Sequence, residues 1–210
     1  MSGWTIAIAA AVAAALGAET LGWRLVRAGA KLLASSGVLG AALAAGAPAS
    51  SYGRLVLVAL VLCWLGDAAL LGRSRRSFAL GLAAFSFAHL VYAAAFAVRG
   101  LAPGWAAAGA AAAGAAALPL ARWLLPHLPP PLRAAVLAYL GAISLMGALA
   151  LGSHGAVPEL RLPVAAALFW ISDLAVARER FVAPGIANRL WGLPLYYAAQ
   201  LLFAASTAKP

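Results

Sequence analysis

Charge in this chain falls mostly in short punctuation between apolar runs, each of roughly the 20 residues that a helix needs to cross a bilayer core. Division at charges, prolines and glycines gives runs near 3–22, 31–47, 54–72, 77–98, 103–125, 132–151, 160–177 and 187–206. Of the 210 residues, 65% are hydrophobic and 10% charged. Soluble domains carry about 25% charge. No polar segment is long enough to form a separate soluble domain. The expected fold is therefore all-α, a polytopic bundle of about eight transmembrane helices forming one integral membrane domain over 1–210. The first run, Trp4–Leu16, has no basic residues before it, with Arg24 and Arg27 coming only afterwards. It reads as a first span rather than a cleaved leader. The PHLPPPLR segment at 126–133 stops one helix and starts the next.

The net charge of +10 does not point to nucleic acid, because the basic residues are scattered between apolar runs with no aromatic-interleaved basic face. They read as loop charges facing anionic headgroups. Arg24, Arg27, Lys31, Arg73, Arg75, Arg76, Arg122, Arg133, Arg178, Arg180 and Arg189 fall on one side of the eight-span arrangement, 11 of the 15 Lys and Arg. Arg54, Arg99, Arg161 and Lys209 are the other 4. The excess of basic residues marks the cytoplasmic side, so both termini are expected outside the cytoplasm. The single cysteine, Cys63, allows no internal disulfide and reads as small apolar filler.

Two of the five acidic residues lie inside apolar runs, in matching settings. Residues 64–71 read WLGDAALL and residues 170–177 read WISDLAVA. Asp67 precedes Arg73 by six residues and Asp173 precedes Arg178 by five. At 1.5 Å per residue, each carboxylate lies roughly 8–9 Å in from the cytoplasmic charges, in helices running in the same direction. The aspartates are 106 residues apart (173 − 67), about half the chain. A parallel repeat of two four-helix halves explains that spacing. Chance likeness between alanine-rich segments is the competing explanation.

An ionisable residue in a membrane span marks a functional site by default. The plain alternative is that each aspartate accepts bonds from neighbouring helices and holds the bundle. Two at equal depth favour a shared polar site. Glu19, Lys31, Phe85, Tyr139, Tyr196, Tyr197 and Gln200 are placed at similar depth. Lys31 opens the second span, where an ordinary interfacial lysine snorkels to water. Adjacent Tyr196 and Tyr197 point in different directions, so only one is expected to face the interior. His89 and Tyr92 form an i, i+3 polar edge deeper in the fourth span. The three histidines are too scattered for a zinc site, and two carboxylates alone permit Mg²⁺ without requiring it. No cofactor is implied. There is no GxSxG elbow, no nucleotide-binding glycine loop, no lysine in the seventh span for a retinal Schiff base, and no arginine ladder of a voltage sensor. Paired membrane aspartates alone suit a proton-coupled transporter as well as an enzyme.

LGDAALL followed by Phe78, GLAAFSFAHLVY at 81–92, FWISDLAVARERF at 169–181 and LYYAAQLL at 195–202 together resemble the YhhN/TMEM86 family of integral membrane lysoplasmalogenases. The likeness runs through nearly the whole chain. It implies hydrolysis of the vinyl ether bond of alkenyl-glycerophosphoethanolamine or -choline, giving a fatty aldehyde and the glycerophospho-headgroup. It also implies a lysophospholipid substrate; the depth of the aspartates has that substrate entering from the membrane and the active site nearer the cytoplasmic leaflet. The family's GD motif falls on Gly66 and Asp67, and its SD motif on Ser172 and Asp173. Its histidine–tyrosine pair falls on His89 and Tyr92, and its Tyr-Tyr-x-x-Gln element on Tyr196, Tyr197 and Gln200. Its early lysine falls on Lys31, although Leu32 stands where proline usually follows. The resemblance thus makes Asp67 and Asp173 the catalytic pair. It leaves Lys31, His89, Tyr92, Ser172, Tyr196, Tyr197 and Gln200 to bind substrate or support the pair, with Tyr139 added from its depth.

Reporter fusions test the topology. A fusion at Pro210 and one in the turn near Arg75 should give opposite localisation signals; equal signals would defeat the eight-span arrangement.

Overall fold

In a computed structural model, residues 2–72 and 74–208 are described; Arg73, Lys209 and Pro210, used above for orientation, lie outside the described residues. Eight helices follow one another with no strand among the described residues. They are α1 (Ser2–Thr20), α2 (Arg24–Ala44), α3 (Ser51–Leu70), α4 (Arg75–Arg99), α5 (Pro103–Leu124), α6 (Pro130–Ala156), α7 (Arg161–Ala177) and α8 (Ile186–Ala205). Local chemistry sets the boundaries. Ser50 and Ser74 accept the backbone N–H of Gly53 and Ser77, capping α3 and α4. Prolines open α5 and α6, where a missing N–H costs nothing. Gly22, at φ 71°, makes the tight turn from α1 to α2 that a Cβ would strain. Helix α2 begins seven residues earlier than the apolar pattern indicated (31 − 24). Lys31 therefore sits two turns inside the helix rather than opening it.

Five of the eight helices, α1, α3, α4, α5 and α6, are long and apolar enough to cross a membrane by themselves. The protein is a multi-pass membrane protein. The remaining three, α2, α7 and α8, carry Lys31, Asp173 and Gln200 among other polar residues. Helix α7 is also short, at 17 residues. Ser35 of α2, Ser172 of α7 and Asn188 and Gln200 of α8 are buried against the rest of the bundle, whereas Arg24 and Arg161 are exposed.

Neighbouring helices repeat with a period of four. The pairings α1–α2, α2–α3 and α3–α4 return as α5–α6, α6–α7 and α7–α8, and α4–α6 returns as α8–α2. The contact of α1 with α8 has no equally extensive counterpart between α5 and α4. This is the pattern produced by two parallel four-helix halves about an axis along the bundle. The repeat extends to single residues. A Cβ on Gly81 would meet Leu70 and lie 3.4 Å from the Gly66 carbonyl; on Gly192 it would meet Ala175 and lie 3.5 Å from the Ser172 carbonyl. Gly66 and Ser172 are the residues just before the two aspartates. The helix pairs bearing the aspartates thus close on each other through equivalent glycines.

The core lies along this axis. Phe85 of α4, Phe169 of α7 and Tyr196 of α8 meet edge-to-face at centroid distances of 6.3, 6.0 and 5.3 Å, a favourable aromatic geometry. Further from the arginine-rich end, Tyr92 and Phe96 of α4 pack on Phe203 of α8.

The glycine contact gives a stability test. Gly192→Ala would bring its Cβ to 2.5 Å from the Ala175 Cβ, an atom fixed to backbone. Helix propensity alone favours Ala by about 1 kcal/mol, but overpacking costs about 1–3 kcal/mol. The variant should unfold at a lower temperature in detergent. Gly114→Ala, with nothing within 4 Å of the added atom, should not.

Candidate active site

Asp67 is the most deeply buried carboxylate of the described residues, at 1% exposure. It comes from the last turns of α3, and three other side chains reach it. The Lys31 ammonium of α2 lies 2.9 Å from Oδ1. The Ser35 hydroxyl donates to Oδ2 at 2.6 Å and the Tyr196 hydroxyl donates to the same oxygen at 2.8 Å. Lys31 and Ser35 are one turn apart on one face of α2. Tyr197 braces that turn: its hydroxyl donates to the Lys31 carbonyl at 2.9 Å and lies 2.9 Å from Ser35 Oγ. A buried charge is tolerated when it is paired and hydrogen-bonded, and removing one partner costs about 3–5 kcal/mol.

Asp173 of α7 has a different setting. The Tyr139 hydroxyl of α6 donates to it. No ion pair to Asp173 is present among the described residues. The two carboxylates nevertheless line one cavity of about 330 Å³, within the range of small-molecule sites. Helices α3 and α7 pack extensively on α4 and α8 rather than on each other; the aromatic trio of Phe85, Phe169 and Tyr196 occupies the space between them. Gly66 makes this possible, because a Cβ there would come within 2.7 Å of the Phe85 ring. Leu70, Leu82, Val136, Val176 and Phe181 give the cavity apolar walls.

The sequence-derived site residues separate into two groups. Lys31, Tyr139, Ser172 and Tyr196 line the cavity with the aspartates. Ser172, however, donates to the Phe169 carbonyl of its own helix at 2.7 Å and bonds neither carboxylate. Tyr197 stands behind α2's polar face. Both adjacent tyrosines serve the Asp67 cluster, contrary to the expectation that only one would. This occurs because α8 is flanked by α2 and α3, and offers each neighbour a different face. His89, Tyr92 and Gln200 lie outside the cavity lining. Tyr92 donates to Gln200 Oε1 at 2.8 Å. His89 is fully buried between Tyr139 and Phe169, with neither ring nitrogen hydrogen-bonded.

Sequence reasoning missed Ser35, although a hydroxyl four residues after a membrane lysine is a visible signal. It also missed a polar network across the cavity mouth. Glu19 accepts from Arg27 at 2.8 Å and, more closely, from Arg189; Arg189 also bonds Glu179 at 2.7 Å. The π-helical turn Arg178–Val182 continues α7 beyond its apolar part, a local widening often found at functional sites. It carries Glu179 to Asn188, which donates at 2.9 Å, and to the Gly185 N–H at 2.7 Å. Partial burial by itself would raise the Glu179 pKa. The bonds from Asn188 and Gly185 and the nearby Arg189 charge outweigh it and hold the carboxyl below its ordinary value.

Comparison with known proteins supplies the family. The YhhN family model matches residues 26–207. Lysoplasmalogenase TMEM86B of Sus scrofa is 34% identical over 158 residues, 75% of this chain and 65% of that protein. Lysoplasmalogenase TMEM86A of Bos taurus is 32% identical over 162 residues, covering 73% and 65%. Lysoplasmalogenase TMEM86B of Homo sapiens is 34% identical over 165 residues, covering 77% and 67%. The match thus spans 65% of the length of the pig and cattle relatives. No solved structure matches. With the family model covering most of its length, including both aspartate helices and the α2 and α8 groups that meet them, the chain belongs to the YhhN family.

Proposed function

We propose that this protein is a lysoplasmalogenase, an alkenylglycerophospholipid hydrolase that cleaves the vinyl ether of an alkenyl-lysophospholipid. The carrying observation is one apolar-walled cavity holding two carboxylates in unequal settings. The relatives' names supply the substrate class. The site lies at the arginine-rich end, read here as the cytoplasmic leaflet. A lysolipid enters from the membrane with its chain against Leu82, Val136 and Val176 and its headgroup toward the charged mouth. The whole chain acts as one membrane domain, with both termini outside the cytoplasm.

The unequal settings divide the chemistry. A carboxylate offers about four lone-pair sites. Three on Asp67 are taken by Lys31, Ser35 and Tyr196, and one remains for a water. With an ammonium beside it and three donors aimed at it, Asp67 is the anionic member. Asp173, met by one neutral hydroxyl, is the member that carries the proton. Asp173 protonates the alkene carbon remote from oxygen, leaving an oxocarbenium ion at the carbon that bears it. Water adds to that carbon as Asp67 takes its proton, giving a neutral hemiacetal. The hemiacetal hydroxyl then returns a proton to Asp173, and Asp67 protonates the departing glycerol oxygen. Aldehyde and alcohol leave, and both carboxyl groups regain their starting forms. Tyr139 orients Asp173; Lys31, Ser35 and Tyr196 fix Asp67.

Asp67→Asn and Asp173→Asn should each leave a folded protein and reduce aldehyde release from alkenyl-glycerophosphoethanolamine by at least about 10²-fold, the lower range for a positioned acid or base. Full activity in both variants would remove the aspartates from catalysis. A transporter that relays protons through the same pair would also lose its function on these substitutions, so aldehyde formed by wild-type protein is what separates the readings.

Isotope labelling tests the order of steps. In deuterated water, aldehyde trapped as it forms should carry one deuterium on the carbon next to the carbonyl, delivered by Asp173. Aldehyde lacking it would exclude carbon protonation.

A further inference from the structure

A second cavity, of about 430 Å³, adjoins the first at its mouth. Arg24, Arg27, Arg180 and Arg189 line it with a single carboxylate, Glu19, a formal excess of three positive charges. The two cavities share Glu19, Arg27, Arg180 and Arg189, so their walls are continuous. Glu19 holds both Arg27 and Arg189. Arg24 and Arg180 are exposed and make no ion pair among the described residues. The Arg180 guanidinium stacks over Phe78, 4.7 Å from the centre of the ring.

Helix α2 sets the distance from this cavity to the reacting carboxylates. Arg27, Lys31 and Ser35 follow one another at intervals of four residues along one face, and Arg24 lies a further three residues back. Lys31 and Ser35 hold Asp67. Arg27 is one turn nearer the mouth, a rise of about 6 Å. The mouth cavity, lined by Arg27 and by the more distal Arg24, therefore begins about this far from the Asp67 cluster, the order of separation a glycerol backbone places between an ether oxygen on its first carbon and a phosphate on its third.

We propose that the mouth cavity is the phosphodiester subsite of the lysolipid. This rests on the reading of the substrate as a lysophospholipid. Arg24 and Arg180 grip the phosphate oxygens, as guanidinium forks do. Arg27 and Arg189, fixed by Glu19, supply a positive field rather than direct contacts. The phosphate anchors the glycerol so that the vinyl ether lies between Asp67 and Asp173. Discrimination for a phosphorylated over a neutral ether glycerol then arises at the mouth, independent of bond cleavage.

Binding of non-hydrolysable ligands tests this without catalysis. Purified full-length protein in phosphate-free detergent buffer is titrated with 1-O-alkyl-glycerophosphoethanolamine, with 1-O-alkylglycerol of the same chain length, and with inorganic phosphate. Wild-type protein should bind the phosphorylated ether at least about tenfold tighter than the neutral one. In Arg24→Gln/Arg180→Gln that advantage should fall below about threefold, with alkylglycerol affinity unchanged as evidence of an intact fold. Should the double variant not fold, Arg24→Gln alone must still weaken phosphorylated-ether binding without affecting the neutral ether. Equal binding of the two ethers by wild-type protein, or an undiminished advantage in a folded variant, would overturn the proposal. Inorganic phosphate binding as tightly as the phosphorylated ether would make this a free-anion site and overturn the lipid assignment. Absence of aldehyde release from a vinyl ether would instead sink the enzymatic reading alone, since these ligands contain no vinyl ether.

Discussion

The Lys31–Asp67 ion pair is the constraint around which the arginine-rich half of the bundle is arranged. A carboxylate at 1% exposure inside a membrane protein requires compensation from every side. Helix α2 provides the cation and a hydroxyl, and α8 provides a second hydroxyl. Satisfying Asp67 therefore locks α2, α3 and α8 together, with Tyr197 fastening α8 to the α2 backbone. Asp173 requires less and receives less. Equivalent positions in two similar halves thus acquire different chemistry from their neighbours, not from their own local sequence.

Much of this was legible in the sequence because membrane insertion imposes such coarse rules. Apolar runs separated by charges and prolines marked all eight helices. Asp67 and Asp173 stood out because an acidic residue in such a run is expensive, and their matched depth brought them to one cavity. Individual contacts were less visible. The start of α2 was placed too late, since Arg24 and Arg27 lie inside the helix and look like loop residues when only hydropathy is considered. With that error, Lys31 looked like an interfacial residue instead of the partner of Asp67. Ser35 was hidden because serine is common in spans and its role depends on which helix it faces. The angular separation of Tyr196 and Tyr197 leaves only one of them facing inward if the helix has a single interior direction; α8 has several packed neighbours, and both tyrosines are buried. Ser172 lines the cavity beside Asp173. Its place beside Asp173 suggested a shared task, but its hydroxyl turns back to its own helix.

The two cavities give the site a graded character. Its deeper part is walled by aliphatic and aromatic side chains around two carboxylates, and its outer part by guanidinium groups. The Glu19–Arg189–Glu179 chain links α1, α8 and the π-helical turn across this boundary. Surface ion pairs taken singly contribute little, but here they set where arginine side chains stand. His89, buried without a hydrogen bond beside Tyr139, places a polar ring next to the residue that bonds Asp173 without lining the cavity.

The distribution of apolarity among the helices has a consequence for biogenesis. Helices α3 to α6 each meet the length and apolarity of a membrane span, whereas α7 and α8, which follow them in the chain, do not. These two pack extensively on each other. Their polar groups reach partners on α1, α2, α3, α4 and α6. In chain order the α7–α8 hairpin thus follows the helices that hold its polar partners, Tyr139 of α6 for Asp173 among them.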